Sequence, residues 1–192
     1  MTLSYVTLPL PVVPAPFRVR LLGLDSVEGL SAVYAEPEVA RSLNYAVPLR
    51  AETIRQKLTR DVEAMHRGEG LRWVLSRGED ATPVGYLCLF NWSVKDRRAE
   101  VGYMLARALW GQSVMKLLLP ELLRFGFEQM GLHRMEAMVA VHNTASLRVL
   151  TRAGFQQEGV LRGHHARANG EGFIDMFVLS MLEEEWRAAA AE

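Results

Sequence analysis

The stretch from Met135 to Arg162 constrains this chain most, because it compresses three structural elements into a span with almost no residue left for connections. Met135 to Val141 is a short apolar run broken by a single acid, Glu136, as a mostly buried strand requires. Asn143 follows as a favoured helix N-cap, its side-chain oxygen placed to accept from the free N–H of Ala145 or Ser146. Leu147, Val149 and Leu150 form one helix face, and Gly154 supplies a left-handed stop. Phe155 to Arg162 resumes as a strand. The reading is β–α–β. A helix start beside a strand end is a place where a fold presents groups to ligands.

Around this unit the pattern predicts a mostly antiparallel start. Phe17 to Leu22 alternates apolar and basic residues as a first strand, and residues 25–34 and 50–66 read as helices. Strands are expected over 71–76, 83–90 and 98–105, the last two forming an antiparallel hairpin about the spacer 91–97. A long apolar helix is expected over 113–130, kinked or delayed by Pro120. Phe173 to Met181 is a last strand before a short helix containing Trp186. The sum is an α+β chain with a mixed sheet and helices packed against it. Residues 1–16 are a Pro-rich extension with Pro9, Pro11, Pro14 and Pro16, and residues 17–192 a single domain.

Composition narrows the function classes. The 22 Lys and Arg residues balance 22 Asp and Glu, which argues against a dedicated nucleic-acid or anionic-membrane binder. Cys88 is the single cysteine, so intramolecular disulfides and paired-cysteine metal sites are excluded, and buried packing is its expected role. No His-Glu-x-x-His pattern occurs, so no metal is expected. With neither a signal-peptide pattern nor a long apolar span, a cytoplasmic location is the expectation.

The run Ala99-Glu-Val-Gly-Tyr-Met-Leu105, then Trp110-Gly111-Gln112 and His133-Arg134-Met-Glu-Ala137, resembles the GNAT superfamily of N-acetyltransferases. Asn143-Thr-Ala-Ser146, Val149-Leu150, Ala153-Gly-Phe155, Glu158-Gly159 and Leu161-Arg162 continue the match, with Gly170 and Asp175 beyond. Within that superfamily it is similar to the RimJ/RimL type, which acetylates ribosomal-protein N-termini. The resemblance implies acetyl-CoA lying in a splay between two central parallel strands. It also implies backbone groups near Met104 and Leu105 meeting the pantetheine arm, and the pyrophosphate resting on Trp110, Gly111, Gln112, Ser113, Val114, Met115 and Lys116. Ser113 stands where the family usually has a second Gly, and Met115 where it has a small residue. Gly serves there for close backbone approach, so a Ser Cβ obstructs it while the hydroxyl offers a donor.

Acetyl transfer to an amine needs an acceptor for the amine proton and a donor for the departing thiolate. Glu100 is a candidate base inside an apolar strand, sharing a face with Gly102 and Met104; a structural ion pair with Arg97 or Arg98 explains it equally. By resemblance Ser146 stands near the CoA sulfur and Asn143 contacts the cofactor, although first-turn and capping roles suffice for both. His165, beside His164, falls where the ribosomal-protein acetyltransferases can carry a Glu base, and an imidazole could serve there. Trp73, Asn91, Trp92, Asn44 and Tyr45 are weaker candidates for an acceptor pocket. The expected partners are acetyl-CoA and an amine, including a ribosomal or other protein N-terminus, with a homodimer through apolar surface near the last strand. The rival reading, prompted by Ser113 and Met115, is a non-catalytic acyl-CoA sensor or interaction module of the same fold.

Overall fold

The computed structural model describes residues 8–190 of the chain, so residues 1–7 of the Pro-rich extension lie outside the described residues. Seven strands form one sheet in the order β1-β2-β3-β4-β5-β7-β6. They are β1 (Phe17–Leu21), β2 (Gly70–Arg77), β3 (Asp80–Ser93), β4 (Arg98–Leu105), β5 (Arg134–Ala140), β6 (Gln156–Ala166) and β7 (Phe173–Leu182). The helices are α1 (Val27–Ala35), α2 (Pro37–Ser42), α3 (Ala51–His66), α4 (Val114–Arg124), α5 (Thr144–Arg152) and α6 (Glu183–Ala190).

The expected mixed sheet is present, and its one parallel pair positions the site. β4 and β5 pair only at Arg98↔Arg134, Ala99↔Met135 and Glu100↔Glu136, although β4 continues to Leu105 and β5 to Ala140. Past the Glu100–Glu136 rung the strands splay, leaving the inner edges of Val101 to Leu105 and Ala137 to Ala140 without ladder partners on each other. A parallel pair needs a crossover, which α4 supplies.

The β–α–β unit departs from the expectation in one respect. β7 runs antiparallel between β5 and β6, so the two strands flanking α5 point the same way without touching. That insertion cannot be read from the unit itself, because β7 lies downstream. β6 also runs on to Ala166, which places His164 and His165 on an exposed edge strand.

The sheet separates two cores. Odd residues of β4 (Ala99, Val101, Leu105) pack with Leu118, Leu119 and Leu122 of α4, and with Met135, Ala137 and Val139 of β5. Even positions face the other core, where Met104, Tyr86 and Cys88 meet Leu30, Val33, Tyr34 and Leu58 from α1 and α3. Gly102 is required there: a Cβ would stand 2.8 Å from Cys88 Sγ and 3.1 Å from Phe90 Cε1. Beneath α3, Asp61 accepts from Lys57 at 2.5 Å, from Tyr86 Oη at 2.9 Å and from Arg72 Nε at 3.2 Å.

Local differences from the sequence reading have plain causes. α2 was not anticipated; Pro37 opens it with a preset φ, but six residues carry too little periodicity to announce a helix. α4 starts at Val114 and runs through exposed Pro120, then ends in a π-turn over Phe125–Gln129. β3 extends further than expected at both ends, so the connection to β4 is shorter than the spacer read from sequence.

Candidate active site

Two helix starts flank the mouth of the splay, and they treat their backbone amides differently. At α5, Asn143 caps as expected: its Oδ1 accepts from Ser146 N at 3.1 Å. The amides of Asn143, Thr144 and Leu147 also find carbonyls, on Ala140, His142 and Asn143. Of the first-turn amides only that of Ala145 is left over among the described residues.

At α4 the N-cap is Ser113, in left-handed conformation at φ 58°, and its side chain makes no capping bond. Gly111 has φ 73°, and Gln112 turns its side chain away to Ala108 O at 2.6 Å. Among the described residues, the amides of Gly111, Gln112, Ser113, Val114 and Met115 make no hydrogen bond of normal geometry to the protein. Consecutive free amides about positive-φ residues form an anion-binding concavity, and the helix dipole adds to it. Met115, expected to crowd this loop, is 6% exposed and points into the α4 core, while Lys116 is exposed.

The loop is braced from behind. Trp110 Nε1 donates to Leu105 O at 2.9 Å, so that carbonyl of β4 is already used. Arg107 stacks on the Trp110 ring at 5.2 Å, bonds Glu38 through Nε at 2.7 Å and gives its backbone N–H to Glu36 at 2.9 Å. The contacts to Glu36 and Glu38 were not anticipated, since both depend on the segment that forms α2.

Inside the splay, Glu100 occupies the last parallel rung beside Glu136. Glu136 is clamped by Arg98 at 3.1 Å and Arg134 at 2.7 Å, whereas Glu100 meets neither Arg97 nor Arg98 and instead accepts from Asn91 Nδ2 at 2.5 Å. Of two adjacent carboxylates, one is neutralised by arginines. The other, 9% exposed, keeps Oε2 free of any hydrogen bond among the described residues. Asn91 reaches it from a left-handed backbone at φ 52°.

On the opposite face of β4 stands Tyr103, which the sequence reading passed over although strand alternation puts it opposite Gly102 and Met104. Its hydroxyl is buried and makes no hydrogen bond of normal geometry. Burial pushes its pKa up, partly offset by the Ser146 hydroxyl beside it.

The remaining candidates fall elsewhere. His165, on β6, pairs with Ile174 of β7, and in the sheet order β5 and β7 lie between its strand and β4. His164 and His165 pack edge to face at 4.8 Å. Trp73 and Trp92 are buried core, Trp73 against Phe125. Cys88 is buried, which pushes its thiol up to about 12, far from a nucleophile. Asn44 joins two loops, donating to Ala166 O at 2.8 Å and accepting from Ala168 N at 3.0 Å, with Tyr45 packed on Tyr34 beside it. Among the described residues no cluster of three His, Cys, Asp or Glu is placed to hold a metal, and no helix is long and apolar enough to cross a membrane.

The model of the GNAT acetyltransferase domain matches residues 17–156, spanning the splay and both helix starts. The chain belongs to the GNAT acetyltransferase family. It is 29% identical over 168 residues to the N-acetyltransferase p20 of Bacillus licheniformis, covering 87% of this chain and 93% of that one. In fold it is similar to the ribosomal-protein-S5-alanine acetyltransferase of Vibrio fischeri, with TM-score 0.76, 19% identity and coverage of 93% and 99%. The spermidine N-acetyltransferase of Vibrio cholerae, solved with CoA and spermine, gives 0.77, 18%, and coverage of 91% and 99%. This GNAT chain is an acetyl-CoA-dependent acyltransferase.

Proposed function

We propose that this acetyltransferase moves the acetyl group of acetyl-CoA to a primary amine, either a protein N-terminus, ribosomal ones included, or a small polyamine-like molecule, in the cytoplasm. The observation that carries this reading is the row of five free amides from Gly111 to Met115 at the mouth of the β4–β5 splay. It fits the pyrophosphate of CoA without a basic cluster, because backbone dipoles supply the positive potential. Bound there, acetyl-CoA supplies the activated thioester.

The chain's residues then divide the remaining work. The five amides and the start of α4 hold the anionic end, and the free edges of β4 and β5 hold the extended arm. Glu100, kept in place by Asn91, accepts the amine proton on the face shared with α1 and α3. Ser146, fixed on the first turn of α5 by the Asn143 cap, lies toward the thioester. The amine attacks directly, with no covalent intermediate on the protein.

Calorimetric titration with acetyl-CoA, followed by product analysis over N-terminal peptides and polyamines, tests the proposal. Absence of binding at high ligand concentration sinks it, and binding without turnover on any amine moves the chain to the sensor reading. Glu100→Gln is expected to lower kcat about 100-fold or more, while His165→Ala leaves it intact.

A further inference from the structure

We propose that the acceptor is a polypeptide N-terminus whose first residue carries a large apolar side chain, seated on the uncovered face of β5, β7 and β6. This deepens the acetyl-transfer reading above and rests on it.

The two halves of the sheet are covered differently on the face that carries Glu100. Over β1 to β4 that face is filled by α1 and α3, and the core formed there takes no residue from β5, β6 or β7. Register and alternation carry the same face onward. Glu100 pairs with Glu136, and the next residue of β5 on that face is Met138, which pairs with Val178. One step further, Ala140 pairs with Met176, and Met176 with Leu161. Met138 and Leu161 are 37% and 39% exposed, and neither they nor Val178 and Met176 belong to either core. An apolar patch therefore begins one same-face step from the carboxylate assigned to the amine proton. Apolar side chains gathered in the open beside a reactive group are a seat for the apolar part of a ligand.

Charge selects the amine. Glu136 is held by Arg98 and Arg134, and Glu158 by Arg134 and Ser180. Among the described residues of β4 to β7 on this face, Glu100 is the one carboxylate without a cation. A polyamine brings further ammonium groups once its first amine is placed. Covering the patch with an unpaired charge is costly, and a lysine at the first position of a peptide meets the same objection. One ammonium joined to an apolar group fits, with the amine at Glu100 and the side chain on Met138.

The ends of the patch favour a chain terminus. Asn44, in the loop after α2, donates to Ala166 O at 2.8 Å and accepts from Ala168 N at 3.0 Å. Ala166 pairs with Phe173, one residue past the His165–Ile174 rung, so this bridge closes the patch beyond Met176. That leaves room for one side chain along the strands. The side away from the sheet stays open, and there the later residues of a peptide keep their backbone groups hydrated.

The test measures kcat/KM with acetyl-CoA for peptides that differ only in their first residue, Leu, Met, Ala, Ser or Lys, with spermidine and hexylamine alongside. Leu or Met should exceed all the others by about 10–100-fold, mostly through KM. Equal or better turnover of the Ala, Ser or Lys peptide, spermidine or hexylamine overturns the proposal. Met138→Glu adds a free carboxylate to the patch, so the ratio of Leu to Lys turnover should fall at least about 10-fold, a quantity independent of any general loss of activity. An unmoved ratio overturns the proposal; should Met138→Glu fail to fold, Leu161→Glu carries the same prediction. Turnover of no amine at all overturns the acetyl-transfer reading, and methionine-methyl NMR of the wild type, with and without CoA, separates that failure from this one. The Leu peptide should shift the Met138 and Met176 signals and spermidine should not. Unshifted signals overturn the seating on this face whether or not acetyl transfer occurs.

Discussion

The starts of α4 and α5 are two solutions to one problem, the unsatisfied amides of a helix's first turn. α5 solves it internally: among the described residues, Asn143 and nearby carbonyls leave only Ala145 without an acceptor. α4 leaves five amides in a row without a partner among the described residues and holds Ser113 in a left-handed conformation that is disfavoured for residues with a Cβ. The capped helix is built for stability and precise placement of Ser146. The uncapped one leaves donors that the proposed CoA pyrophosphate would satisfy. In the acetyl-transfer reading proposed above, it is the missing cap, more than any basic residue, that assigns the anionic end of CoA to this helix start.

The largest break in that comparison comes from giving α4 an anion of its own. Ser113→Asp places a carboxylate beside the five amides, where it both occupies donors and repels phosphate. CoA affinity should fall about 10–100-fold, roughly 1.4–2.7 kcal/mol, as read by calorimetry. Stability should not fall with it, because an acid near a helix start contributes about 0.3–1 kcal/mol and Asp tolerates the left-handed region. Opposite signs for binding and stability are the signature; a parallel loss of both would mean the loop had merely been disrupted. Asn143→Ala tests the other helix and should invert the pattern. Its loss is about 1 kcal/mol of unfolding free energy, with CoA affinity nearly unchanged. Ser113→Gly is smaller again. Relief of the left-handed strain, set against glycine's greater chain entropy, should leave a gain of about 0.5 kcal/mol and somewhat tighter CoA binding.

How much of this was legible beforehand follows the range of the interactions. The Asn143 cap and the Glu100–Gly102–Met104 face depend on residues a few positions apart, and both appear as read. The departure at Ser113 was visible as well, but its consequence was not. Met115 turns into the core and Ser113 adopts the backbone a glycine would have taken. What stayed hidden is tertiary. Glu100 takes Asn91 as its partner instead of the arginines next to it in sequence, because β3 lies alongside while Arg98 reaches across to Glu136. Tyr103 reads as an ordinary strand aromatic until α5 brings Ser146 to its hydroxyl. The Arg107 ties to Glu36 and Glu38 depend on a helix too short to predict.

The smallest effect comes from a pair that touches neither helix start and so calibrates both. Glu158 takes a bidentate grip from Arg134, at 2.8 and 2.5 Å, and accepts from Ser180 at 2.7 Å. The Arg134 guanidinium first, and Ser180 second, hold its carboxyl down at about 2, below the usual carboxylate value near 4.3. A depressed acid stabilises the fold fully above its unfolded pKa, and that contribution is lost as pH falls through its folded one. The window therefore runs from about pH 5 down to about pH 2. Because the Glu158 side chain is 42% exposed, solvent screens the pair, and its whole contribution should be about 0.2–1 kcal/mol. In urea unfolding, the deficit of Glu158→Gln relative to wild type should be constant above pH 5 and shrink toward zero near pH 2. The Asn143→Ala deficit should stay level across the same range, since an amide cap does not titrate. A cap deficit that shrank in step with the Glu158 deficit would mean that α5 is held by charge, and the contrast between the two helix starts would lose its basis.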